Sequence, residues 1–135
     1  MGTDQAPPDQ APPEEAPLTV HCEGDIACVQ FRDRHIDIPS VPEIQAQLQE
    51  LVDGAREPKI LLDFKNVWYM PTTALGMLVA FQVRLRKKNG RLHLTNLDAK
   101  IREVFEISTL DKFFEIYTDP TAAMQALGAG IEPGP

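Results

Sequence analysis

The stretch Ile60-Leu61-Leu62-Asp63-Phe64-Lys65-Asn66-Val67-Trp68-Tyr69-Met70-Pro71-Thr72-Thr73-Ala74-Leu75-Gly76-Met77-Leu78 decides the reading of this chain. Ile60 to Phe64 is apolar on nearly every successive position, the pattern of a strand covered on both faces. Ala74, Met77, Leu78, Phe81 and Leu85 then recur along one face of a helix that Asn89-Gly90 ends. Thr72 and Thr73 fall where that helix begins. A helix start presents unpaired N–H groups and the positive end of its dipole, so a phosphate on either hydroxyl is stabilised there. The same geometry also makes an ordinary helix cap. The residues leave both readings open: a cap alone, or a cap that is also a switch.

Working outward, Leu18-Glu23 and Ile26-Arg32 flank Gly24-Asp25, a two-residue loop that closes a β-hairpin. Pairing across it sets His21 opposite Cys28 and Val20 opposite Val29. Leu18, Val20, Cys22, Ala27, Val29 and Phe31 then share the face expected to meet the core, and Cys22 and Cys28 point to opposite faces, which argues against a disulfide. Ser40-Val41-Pro42-Glu43 has capping-box spacing ahead of a helix from about Val41 to Gly54. Arg91 to Thr95 alternates as a strand, and Asp98 is placed to cap a helix carrying Ile101, Val104 and Phe105. Phe113 to Tyr117 reads as a last short strand, and Asp119-Pro120 opens a final helix that Gly128 closes. This alternation predicts an α/β fold with a mixed, partly parallel sheet.

Composition bounds the function. The formal charge is -7, but the segment before Leu18 carries four acidic residues and no basic one, and residues 18–127 hold 15 acidic against 13 basic residues. That balance does not suggest nucleic-acid binding. No run approaches the roughly 18 apolar residues of a membrane span, and the start lacks the basic and apolar regions of a signal peptide, so a cytoplasmic protein without membrane insertion is expected. Residues 5–14 contain a near repeat, Gln-Ala-Pro-Pro-Asp then Gln-Ala-Pro-Pro-Glu, that reads as a solvated, polyproline-like tail.

No catalytic constellation emerges. His21, His35 and His93 lie on different elements, no glycine-rich phosphate loop is present, and the carboxylates lack acid–base spacing. His93 alternates with Leu92 and Leu94, which predicts a half-buried or surface ring. His21 and Cys28 form half of a metal site without a second half, so neither metal nor cofactor is expected. Arg84, Arg86, Lys87 and Lys88 suit the negative end of their helix. Trp68 and Tyr69 lie between strand and helix, where either serves as a partner anchor or closes the edge of the core. A sole tryptophan favours interior or edge packing for Trp68.

The stretch from Ile60 to Leu78 resembles the signature of STAS domains, the family of bacterial anti-sigma factor antagonists. Asn89-Gly90-Arg91-Leu92-His93-Leu94 resembles the family's next turn and strand, and Ile101 to Leu110 its next helix and loop. The resemblance spans residues 18–127 as one domain, with tails at 1–17 and 128–135. It implies a STAS-like mixed sheet of four to five strands with about four α-helices. It implies a non-enzymatic partner switch: the unphosphorylated domain binds an anti-sigma factor that is itself a serine/threonine kinase, phosphorylation ends the binding, and a phosphatase restores it. By position in the motif, Thr72 matches the phosphoacceptor, with Thr73 second. The implied partner-binding surface comprises Trp68, Tyr69, Met70, Pro71, Thr72, Thr73 and Leu75. Three positions depart from the pattern: Pro71 for the usual aspartate, Thr72 for serine and Ala74 for glycine. STAS-like domains also serve as scaffolds or as soluble subunits of lipid or solute transport complexes, which is the alternative role.

Overall fold

The Gly24-Asp25 loop closes the hairpin in the predicted register, with β1 (Leu18–Glu23) antiparallel to β2 (Ile26–Phe31), Val20 facing Val29 and His21 facing Cys28. Gly24 has φ 64°, the left-handed conformation such a loop requires. In this computed structural model, which describes residues 16–129, a 3₁₀ turn (Ile38–Ser40) and α1 (Val41–Asp53) come next. They are followed by β3 (Lys59–Asp63), α2 (Thr72–Lys87), β4 (Arg91–Thr95) and α3 (Ala99–Ile107). A second 3₁₀ turn (Leu110–Lys112), β5 (Glu115–Tyr117) and α4 (Pro120–Ala129) complete the chain. Strand order follows the sequence, and β2 through β5 are parallel. The proline-rich repeat lies outside the described residues.

β3 is sandwiched. Ile60 and Leu62 pack with Val29, Leu92 and Leu94 against Ile44, Leu48 and Val52 of α1, Leu78 and Leu85 of α2, and Ile101 and Phe105 of α3. Leu61 faces the other way and joins Ile26 beneath Ala123 and Leu127 of α4. Two opposed apolar layers explain why successive residues of the strand are apolar. Burying a leucine or isoleucine side chain contributes about 1.5–3 kcal/mol, so both layers stabilise the sheet.

Several local expectations change. Ser40 does not cap α1, because it is already helical at φ -78°, ψ -20°; its hydroxyl donates instead to Asp37 Oδ1 at 2.6 Å. Cys22 is exposed at the hairpin tip rather than in the core, while Leu18, Val29 and Phe31 of the same face are buried. His93 is fully buried, not superficial, because α4 covers its face; its Nδ1 lies 3.2 Å from Ala123 O and its ring 4.8 Å from that of Tyr117. α4 runs through Gly128 to Ala129 instead of closing at the glycine. The cations late in α2 reach neighbours as well as their own helix end: Lys88 Nζ donates to Val52 O at 2.8 Å, capping α1, and Arg86 lies 4.8 Å over the Phe113 ring.

Candidate partner-docking site

The parallel strands β2, β3 and β4 end at one edge of the sheet, and the start of β1 joins them there. The chain leaving β3 is fixed by Asp63. Its Oδ1 accepts from Lys65 N and Asn96 Nδ2, both at 2.9 Å, and its Oδ2 accepts from Gln30 Nε2 at 2.9 Å. One carboxylate thereby ties the ends of β2, β3 and β4. Each bond to a charged group contributes about 1.5–3 kcal/mol.

Beyond this knot, Val67 and Met70 are buried while Trp68 is 52% and Tyr69 44% exposed. Of the interior and edge positions expected for Trp68, the interior one is therefore overturned. Its segment runs beside the loop after β2: Trp68 N and Tyr69 N donate to Arg34 O at 2.9 and 3.3 Å, and Ile36 N donates to Tyr69 O at 3.0 Å. These bonds direct both aromatic side chains outward. His35 stacks on Tyr69 with centroids 4.4 Å apart and meets Trp68 edge-on at 6.1 Å. Ile38, three residues further on, is 60% exposed. Asp37 between them is tied down, since the Ser40 hydroxyl holds its carboxyl below the usual carboxylate range.

Pro71, buried and extended at φ -78°, ψ 162°, is the N-cap of α2. Thr72 is thus the first helical residue and Thr73 the second, and both are exposed. Among the described residues, no side chain caps this helix start. The capping reading of Thr72 fails because Pro71, not Thr72, is the N-cap, and among the described residues the N–H groups of Thr72 and Thr73 meet no acceptor. Met70, Pro71 and Leu75 are buried and support the turn from beneath, leaving Trp68, Tyr69, Thr72 and Thr73 as its outward surface.

Sequence reasoning missed His35 and the neighbouring Arg34. Their relation to the site rests on a single bridge between His35 and Tyr69, 34 positions apart, for which no local pattern is a signal. Among the described residues, no cluster of three or more His, Cys, Asp or Glu side chains is placed to hold a metal, and no helix is long and apolar enough to cross a membrane.

The family model of the STAS domain matches residues 18–123. The anti-sigma-B factor antagonist of Bacillus subtilis is 30% identical over 67% of this chain and 81% of its own length. Among solved structures, an anti-sigma-factor antagonist (STAS) domain protein from Planctomyces limnophilus superposes with TM-score 0.76 at 19% identity, covering 82% of this chain and 97% of that one. The Bacillus cell fate determinant SpoIIAA in its phosphorylated form superposes with TM-score 0.63 at 20% identity, covering 81% of this chain and 98% of that one. With a sandwiched β3, a hydroxyl-bearing start to α2 and a family match over most of its length, this chain belongs to the STAS domain family.

Proposed function

We propose that this chain is an anti-sigma factor antagonist of the bacterial cytoplasm, a non-enzymatic module that binds an anti-sigma factor with serine/threonine kinase activity. Thr72 is its phosphoacceptor, Thr73 the second candidate, and a phosphatase resets it. The observation that carries this reading is the pair of exposed hydroxyls on the first two residues of α2, uncapped and beside exposed Trp68 and Tyr69. The relative in Bacillus subtilis, named an anti-sigma-B factor antagonist, supports the same role.

The chemistry follows from position. In the free protein the threonines are neutral, and the aromatic side chains offer the large apolar anchors on which protein interfaces concentrate their energy. Phosphorylation adds about -1.5 to -2 charge and strong acceptor oxygens. The open N–H groups and the helix dipole stabilise that phosphate, while its charge and hydration oppose burial beneath a partner. Pro71 contributes no carboxylate at the helix start, so the phosphate meets no like charge from that residue. The Thr72 methyl adds bulk at the transfer site without changing the hydroxyl's acceptor chemistry.

The test incubates the protein with its anti-sigma factor and ATP and follows intact mass. The reading expects one added phosphate, mapped to Thr72, and release of the complex. An unmodified protein with undiminished binding would replace it with the scaffold role.

A further inference from the structure

The half-site that His21 and Cys28 form across the hairpin gains a third donor from α4. Cys28 Sγ lies 3.6 Å from the thioether sulfur of Met124, 96 positions along the chain. His21 is the register partner of Cys28. Directly opposed residues of an antiparallel pair share one face, with Cβ atoms about 4.5–5.5 Å apart. All three side chains line one groove of about 290 Å³ between the hairpin and α4. Glu23 and Asp63 also line it, and among its described lining residues there is no lysine or arginine. Such a lining favours a cation over an anion.

The donors fit a soft ion. At a metal–sulfur bond of about 2.3 Å, two sulfurs on one ion stand about 3.8 Å apart in tetrahedral and about 4.0 Å apart in trigonal geometry. The observed 3.6 Å is within a few tenths of an ångström of either. His21 supplies a nitrogen. Its Nε2 lies 3.2 Å from Glu23 Oε2, which leaves Nδ1 to ligate and matches the carboxylate–histidine pairing that orients metal-bound imidazoles. A thiolate, a thioether and an imidazole together select monovalent copper. Zinc takes thiolate, imidazole or carboxylate donors, normally four of them, while magnesium and calcium take oxygen, so the thioether discriminates against all three. Among the described residues, no three of His, Cys, Asp and Glu are placed to hold a metal without it. Cys28 is only partly buried and the His21 side chain is 69% exposed, which leaves the ion a way in.

We propose that Cys28, Met124 and His21 form a binding site for one Cu(I) ion, with Glu23 orienting the imidazole. Binding is ligand exchange without electron transfer. The Cys28 S–H gives its proton to solvent, the thiolate sulfur bonds to the ion, and the Met124 sulfur and His21 Nδ1 complete a three-coordinate shell. The ion joins β1, β2 and α4, so it strengthens the hold of α4 on the sheet. α2 packs on the opposite face of the sheet, and the site does not rest on the proposed antagonist role.

The full-length protein tests this with Cu(I) alone, supplied anaerobically as its acetonitrile complex and competed against a chromophoric Cu(I) chelator. Cys22, exposed and on the other face of β1, is the control thiol. Wild type and Cys22→Ser are expected to take up one ion with equal affinity. Cys28→Ser should lose at least about 100-fold, Met124→Leu and His21→Ala about 10- to 100-fold each, and Glu23→Gln about tenfold. Met124→Leu conserves volume, and His21 and Glu23 are exposed, so the fold tolerates these changes. At one equivalent the Met124 methyl and His21 ring resonances should shift while those of Trp68 stay in place. Zn(II) in about tenfold excess should displace none of the copper. No uptake by wild type, uptake lost in Cys22→Ser but kept in Cys28→Ser, indifference to Met124→Leu or to His21→Ala, or displacement by Zn(II) would each overturn the site.

Discussion

The ring of Tyr69 lies against that of His35, with centroids 4.4 Å apart and planes inclined by 25°, although the two residues belong to loops that follow different strands. The contact is underwritten by backbone: Ile36 N donates to Tyr69 O at 3.0 Å and Trp68 N to Arg34 O at 2.9 Å. Two connections that would otherwise move separately are joined into one surface beside the start of α2. On that surface Trp68, which His35 meets edge-on, and His35 itself do different work. Trp68→Ala removes an anchor and should weaken anti-sigma factor binding by about 2 kcal/mol, roughly thirtyfold. His35→Ala leaves the anchor but unsettles its support, and should cost less, about 0.5–1.5 kcal/mol. Both are exposed enough that unfolding stability should change by no more than about 0.5 kcal/mol. Calorimetric titration of each variant, with denaturant unfolding alongside, separates the two effects.

Thr72 and Asp98 both stand at helix starts, yet only Asp98 caps. Its carboxylate accepts from Lys100 N, whereas the Thr72 hydroxyl follows the N-cap Pro71 and serves no helical N–H. Asp98→Ala should therefore cost about 1 kcal/mol of stability, and Thr72→Ala less than about 0.5 kcal/mol. Equal losses in urea unfolding would restore the capping role to Thr72.

How far the sequence could be read depended on the range of the interactions involved. The hairpin register was legible residue by residue, because a two-residue loop fixes the pairing and Leu18, Val29 and Phe31 mark the buried face. Asp98 was legible as a cap because its target is two residues away. Ser40 misled because the preceding residues turn as a 3₁₀ helix and bring its hydroxyl to Asp37. His93 and Trp68 were misread for a common reason: burial of one is decided by Ala123 on α4, and exposure of the other by Arg34 in the loop after β2. Neither partner is visible in a local pattern. The hydroxyl turn itself was found in the sequence, but its cap and its aromatic support needed the fold.

The exit from α2 predicts a steric effect. Asn89 takes the left-handed conformation, φ 58°, and Gly90 follows it with its N–H bonded to Leu85 O at 2.8 Å. A Cβ on Gly90 would sit 2.7 Å from Pro58 O and 2.8 Å from Leu85 Cδ2. The carbonyl is backbone and cannot yield cheaply. Gly90→Ala should destabilise by about 1–3 kcal/mol, the usual range for overpacking, read as a lower urea midpoint with unchanged slope.

The two thiols should react at different rates. Cys22 is exposed, whereas Cys28 is partly covered by α4 and lies 3.6 Å from the Met124 sulfur. Burial pushes the Cys28 thiol up, with Glu23 adding to the effect, so less thiolate is present at neutral pH. A maleimide should modify one site rapidly, mapped to Cys22, and Cys28 only slowly. Equal rates would mean that α4 opens readily.

The central claim is that charge at the start of α2 decides whether a partner is held. The most direct measurement is the affinity of the anti-sigma factor for wild type, Thr72→Ala and Thr72→Asp by calorimetric titration, with all three shown to unfold alike. The account predicts that Thr72→Ala binds within about threefold of wild type, while Thr72→Asp loses at least about tenfold, or 1.4 kcal/mol. Equal binding by wild type and Thr72→Asp would contradict it.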